Sequence, residues 1–186
     1  MANKIKYGLR NVYYAPITTV STAGVPTYGT PVRILGGVNL SMTPAGESTD
    51  FYADDVVFWH SDANNGYTGT LEVALIPESF KTTCLGETAD TKSVVFEAAN
   101  DTAGEFALMF EFQGDENATR HCLYRCTAAR PDVTGATKEA SITPQTETLN
   151  LTAMPRLDNQ IVKSRCPYSS DAYANWFSAV YEKTTL

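Results

Sequence analysis

The stretch Glu105-Phe106-Ala107-Leu108-Met109-Phe110-Glu111-Phe112-Gln113 decides the fold class. Phe106, Leu108, Phe110 and Phe112 recur at every second position, with Ala107, Met109 and Glu111 between them. A period of two places alternate side chains on opposite faces of a strand, whereas a helix would scatter these four around its axis. The next segment, Gln113-Gly114-Asp115-Glu116-Asn117, is turn chemistry. It leads into Thr119–Ala128, rich in residues that strands prefer, so the two runs read as an antiparallel hairpin.

The same reading extends in both directions. In Tyr67–Ile76, Leu71, Val73 and Leu75 share one face. In Gln145–Ala153, Leu149 and Leu151 oppose Thr146, Thr148 and Asn150. Leu9–Ala15, Gly37–Thr43, Asp55–His60 and Val162–Cys166 are further expected strands. Ser61-Asp62-Ala63-Asn64-Asn65-Gly66 separates Val56-Val57-Phe58-Trp59 from the Tyr67 run. Asn-Gly between two strand patterns predicts a second hairpin there.

Two helices are expected. Pro77–Gly86 has Pro near its start, Glu78 in the first turn and Gly86 past its end. The other runs from Ser170 or Asp171 to about Tyr181, where Tyr173, Trp176, Phe177 and Val180 recur at helical spacing. Such an aromatic stripe predicts packing against the outside of the sheet rather than a ligand site. Three stretches read as loops: Ile17–Pro31, Ala45–Asp54 and Arg130–Pro144. Loops this long are characteristic of functional or partner-ordered segments.

The 186 residues fit one domain, 1–186, able to bury a core without disulfides or metal. A composition 43% hydrophobic and 19% charged excludes a disordered chain. No apolar run approaches the ~20 residues of a membrane helix. The N-terminus lacks the apolar region of a signal peptide, which predicts a cytoplasmic origin and no membrane partner. The net charge of −7 argues against gripping nucleic acid, because phosphate binding needs Lys and Arg. That sign fits both a non-adhesive wall past which nucleic acid slides and plain solubility.

Little in the chain points to catalysis. Cys84, Cys122, Cys126 and Cys166 form no C-x-x-C pair and read as buried small hydrophobes. His121, Cys122 and Cys126 share a strand, where neighbours face apart and a four-residue step spans about 13 Å, too far for one zinc. The same facing argument counts against a His/Cys nucleophilic pair. No nucleophile elbow, phosphate-binding loop, dinucleotide fingerprint or H-E-x-x-H is present. Asp54-Asp55 reads as a solvated acidic pair, Gly36-Gly37 as a bend, and three Asn-x-Thr triplets as chance matches in a Thr-rich chain. No catalytic residue, metal or cofactor is expected, which favours a structural role.

Several stretches resemble the major tail protein, or tail tube protein, of phages with long non-contractile tails that infect Gram-positive bacteria. They are Lys6–Ala15, Phe51–Asp55, Asn64–Gly69 running into Leu75-Ile76-Pro77, Phe106–Phe112, Ala118–Tyr124 and Pro144–Leu149. The resemblance is weak over 17–31, 86–102 and the last twenty residues. It implies a mainly β fold, a β-sandwich or partly open barrel with one or two flanking helices and long loops. It also implies hexameric rings stacked into a hollow tube in the virion tail, assembled in the host cytoplasm. Self-association would join partnership with a tape-measure protein, tail terminator and distal tail proteins, and with DNA in transient passage. A capsid-decoration protein, a tube subunit of a contractile or phage-derived injection machine, and an enzyme are the alternatives.

Two sets of site residues follow as expectations. The acids Glu47, Asp50, Asp54 and Asp55 are expected to meet Lys4, Lys6 and Arg10 of a neighbouring subunit. Glu72, Glu111 and Glu147, on expected strands, are expected to line an acidic channel, since a one-sided strand must present its other face to water. The rival reading places those glutamates on the outer surface, where they only keep the chain in solution.

Overall fold

The computed structural model describes residues 3–138, 141 and 143–184. In chain order the strands are β1 (Lys6–Val20), β2 (Pro26–Tyr28), β3 (Val32–Ile34), β4 (Gly37–Pro44), β5 (Ser48–Ala53), β6 (Val56–Asp62) and β7 (Tyr67–Val73). After the helical segment α1 (Glu78–Phe80) follow β8 (Thr88–Ala89), β9 (Val95–Phe96), β10 (Phe106–Gly114), β11 (Thr119–Ala128), β12 (Glu147–Ala153) and β13 (Lys163–Cys166). The fold is mainly β, as expected, and among the described residues it has one short helix and no closed barrel.

One nine-stranded sheet runs β2-β1-β10-β11-β12-β7-β4, with β3 on β1 and β13 on β11. β11 is the strand that divides it. Its first half pairs β13 and its last three residues pair β12, both antiparallel. The chain crosses between layers again at Leu35-Gly36, since β3 pairs β1 while β4 pairs β7. The inward faces of the two layers enclose the main core: Val12 and Tyr14, Leu71 and Val73, Phe106, Leu108 and Phe110, Leu149 and Leu151. Phe80 and Cys84 close it, with Phe80 edge-on to both Tyr14 and Phe106. Each large side chain so buried contributes roughly 1.5–3 kcal/mol.

The other face of β10 is also covered. Ala107 and Met109 join Ala15, Cys122, Tyr124 and Cys166 in a second cluster, closed by Trp176 and Val180 of the C-terminal segment. Hence Phe106 through Glu111 are six consecutive buried residues, although their sequence alternates. All four cysteines are free and buried. Burial alone pushes the Cys84 thiol up to about 12.

Three expectations change. The segment from Ser170 to Tyr181 is a chain of turns, not a helix. Its bonds step three residues at a time: Tyr173 N–H to Ser170, Trp176 to Tyr173, Ser178 to Asn175. The sheet takes a carbonyl that an α-helix would use, as Arg120 donates to the Tyr173 carbonyl, and Tyr124 donates its hydroxyl to the carbonyl of Tyr181 at the end of the segment. Ser170 also accepts from the Ala172 amide, a local bond that competes with helix. The stripe nevertheless packs on the sheet as expected: Trp176 is buried and Phe177 stacks on Tyr13 at 4.8 Å.

The second change concerns 45–54, which is not a loop. β5 pairs β6 through a two-residue turn, and β7 pairs β4 and β12 instead of β6. The chain therefore reverses at Asp54-Asp55, not at Asn65-Gly66. Both aspartates have positive φ, 52° and 62°, as a type I′ turn requires. Third, part of 17–31 is strand: β1 runs on to Val20 and pairs β2. Across 130–144 the described residues form no strand or helix, while 139, 140 and 142 lie outside the described residues. The helix expected at 77–86 forms as α1, continues as a wider turn over Lys81–Leu85 and ends at Gly86, whose φ is +86°.

Candidate functional site: a hairpin that leaves the sheet

β4–β5 and β6–β7 together make one long ribbon. Its inner half, β4 with β7, belongs to the sheet; its outer half, β5 with β6, pairs with no other strand among the described residues. The joint is held by Ala45 N–H to the Gly66 carbonyl, Asn65 to Ala45, and Ala63 to Glu47. Gly66 is required there: its φ is +102°, and a Cβ would lie 1.9 Å from the Ala153 carbonyl oxygen. Strands of six and seven residues carry the outer half about 20 Å beyond this joint.

The outer half is apolar where it is wet. Phe51, Tyr52, Val56, Val57, Phe58 and Trp59 are each 49–71% exposed. Phe51 faces Trp59 across the ladder, and a bulge at Phe58 shifts the register before Tyr52 meets Val57. The apolar side chains occupy both faces toward the tip, and on the face that Tyr52 and Val57 share, an ionic ladder runs toward the base. His60 Nδ1 meets Asp50 at 2.5 Å and its Nε2 meets Asp62 at 3.2 Å, while the Ser48 hydroxyl donates to Asp62. The Asp50 hydrogen bond is the chief cause that lifts the His60 pKa above its usual value. An isolated two-stranded hairpin is marginal in water, and an exposed apolar patch marks a contact surface.

The sequence reading put subunit contacts in this stretch through its acids and did not single out these six residues. The signal was present: Val56-Val57-Phe58-Trp59 does not alternate, and no Lys or Arg occurs between Arg33 and Lys81. An apolar run without alternation reads as a strand covered on both faces. Among the described residues of one chain nothing covers it.

The expected contact acids are in this ribbon. Glu47 sits at its base, Asp50 on β5, and Asp54 and Asp55 at its tip, all exposed. Lys4, Lys6 and Arg10 are also exposed, and among the described residues none forms an ion pair within the chain. Lys6 holds its ammonium 4.5 Å over the Phe112 ring. Arg10 stands opposite Glu111 on β1.

The three expected channel acids separate. Glu111 is only 5% exposed, because the C-terminal segment covers its face. Its carboxylate accepts from Arg120 Nε at 3.1 Å and from Asn11 Nδ2 at 2.9 Å. Asn11 reaches it from a bulge in β1, at φ 49°. Arg120 in turn lies 3.8 Å over the Tyr173 ring. Glu111 is thus a buried clamp, and its reading as a wet-face acid is corrected. Glu147 has the inward parity of Leu149 and Leu151, and at the margin of the core it accepts the Ile76 amide at 2.6 Å. Glu72 alone stays on a wet face, beside Asn39 and Thr148, where it accepts the Thr146 hydroxyl. Thr68, Thr70, Ser41, Thr43, Asn150 and Thr152 continue that face by register, with no cation.

Among the described residues no group of three His, Cys, Asp or Glu side chains is arranged to hold a metal. No described helix is long and apolar enough to cross a membrane. No family model matches the chain, and no curated protein matches it significantly.

Proposed function

We propose that this chain is a structural subunit that assembles with copies of itself, as the tail tube subunits it resembles would, into hexameric rings stacked as a hollow tube. The observation that carries this reading is the β5–β6 hairpin. Its two strands have free edges and six exposed large apolar side chains, while the rest of the chain encloses two complete clusters. A free apolar edge invites another chain, and a protein that keeps one avoids aggregation only when a specific partner covers it. In such a tube the uncharged hydroxyl and amide face around Glu72 suits a channel wall, because DNA adheres to Lys and Arg. Tape-measure, terminator and distal tail proteins would complete the assembly in the virion tail.

The test is the mass of the purified chain at rising concentration, with negative-stain microscopy of the product. Rings of six and tubes are expected. A variant with residues 47–62 replaced by Asn-Gly should fold and remain monomeric. A wild-type chain that stays monomeric throughout, or a hairpin-less variant that still forms tubes, would refute the proposal. A contractile-machine subunit would assemble in the same way; a sheath gene beside this one separates that case.

A further inference from the structure

In a chain with 21 acidic and 14 basic residues, four cations gather at one place. Lys4, Lys6 and Arg165 line a groove of about 390 Å³ floored by Phe112 and His121. Lys163, two residues before Arg165 on β13, lies 4.4 Å over the Tyr67 ring at the joint of the ribbon. Strand order explains the gathering: β1, β10, β11 and β13 are neighbours, and Arg165 stands opposite His121. The His121 ring, stacked on Phe110 at 5.2 Å, is held down to about 4, first by burial and then by Lys6, Arg165 and Lys163. Among the described residues none of the four cations has an acidic partner within 4 Å. Asp115, the nearby acid, accepts instead from the Lys4 and Ile5 amides.

The hairpin has the opposite character. Glu47, Asp50, Asp54, Asp55 and Asp62 are its charges, and it contains no Lys or Arg. Asp54 and Asp55 stand together at its tip, exposed and unpaired with any described cation. Sign and aromatic content therefore match between two different surfaces of the same chain.

Resting on the self-assembly reading above, we propose that the groove of one subunit receives the tip of the β5–β6 hairpin of a second copy. Asp54 and Asp55 meet the four cations, and the hairpin's aromatic side chains cover Phe112 and its neighbours. Donor and acceptor surfaces differ, so every copy offers one of each. Such a head-to-tail contact closes into a ring or continues as a filament, and does not stop at a dimer. Charge complementarity fixes which surfaces meet and speeds their encounter.

Charge reversal tests this on the full-length chain. A groove variant carries Lys4→Glu and Arg165→Glu. A hairpin variant carries Asp54→Asn and Asp55→Gly, which keep the turn, with Ala53→Lys and Val56→Lys beside it. Each alone should need about tenfold or more protein for half-assembly in analytical ultracentrifugation. Mixed in equal amounts they should assemble at the wild-type concentration, because each supplies the sign the other lacks. Far-UV circular dichroism confirms folding; should the groove variant unfold, Lys4→Gln with Arg165→Gln replaces it, read only for its own weaker assembly and not in the mixture. Variants that assemble alone like the wild type, or a mixture that stays apart while the wild type assembles, would overturn this contact and leave self-assembly standing. A wild type that never assembles would overturn both.

Discussion

Glu111 shows how a single side chain changes meaning when its neighbours arrive. On β10 alone it is a carboxylate on the polar face of an alternating strand. In the folded chain Asn11 and Arg120 bind it, and Arg120 reaches on to Tyr173. A buried charge left without its partner is costly, at about 3–5 kcal/mol. Glu111→Ala therefore strands the Arg120 guanidinium and should lower unfolding stability by about that amount, measured by urea denaturation. Arg120→Met in the same background should recover part of the loss, since no unpaired charge remains. Equal stability of Glu111→Ala and wild type would contradict the clamp.

At the scale of elements, the C-terminal segment has tertiary contacts in place of regular secondary structure. Trp176 is 3% exposed, stacks near Tyr181 and donates its indole N–H to the His121 carbonyl at 3.4 Å. Removing a buried aromatic ring leaves a cavity worth about 3–5 kcal/mol, so Trp176→Ala should destabilise by that much in chemical denaturation. Trp59→Ala removes a ring of the same size from the exposed hairpin and should leave monomer stability nearly unchanged. Equal effects of the two substitutions would contradict this division of roles. The ribbon has the converse design, regular in backbone yet uncovered by any other element, which is the condition of a segment kept for a partner.

At the scale of the molecule, β1, β10 and β11 contribute to both clusters, with β10 buried on its two faces. Neither cluster can open without exposing the other. Unfolding should then be a single cooperative transition. In a Trp59→Phe chain, fluorescence reports Trp176 in the second cluster while far-UV dichroism reports the whole sheet. Their denaturant midpoints should coincide; separated midpoints would show that the C-terminal segment detaches on its own.

Alternation was legible along the chain: the core faces of β10 and β12, and of β7 as far as Val73, follow from residues two apart, because the pleat imposes that period locally, whereas Leu75, read on the same face, lies past the end of β7 and is exposed. The helical turn ending at Gly86 was legible for the same local reason. Local signals failed where distant groups compete. The spacing of Tyr173, Trp176, Phe177 and Val180 fits a helix, but a sheet side chain 53 residues away, Arg120, claims the Tyr173 carbonyl. Asn65-Gly66 suits a hairpin turn, yet the stronger β4–β7 and β5–β6 ladders move the reversal to Asp54-Asp55. The sequence by itself determined a mainly β chain, its strand faces and its charge. Only the tertiary structure decided which faces are covered, because burial depends on residues brought from elsewhere in the chain. Coverage buries Glu111, leaves the aromatic hairpin bare and gathers Lys4, Lys6 and Arg165 into one groove with Lys163 near it.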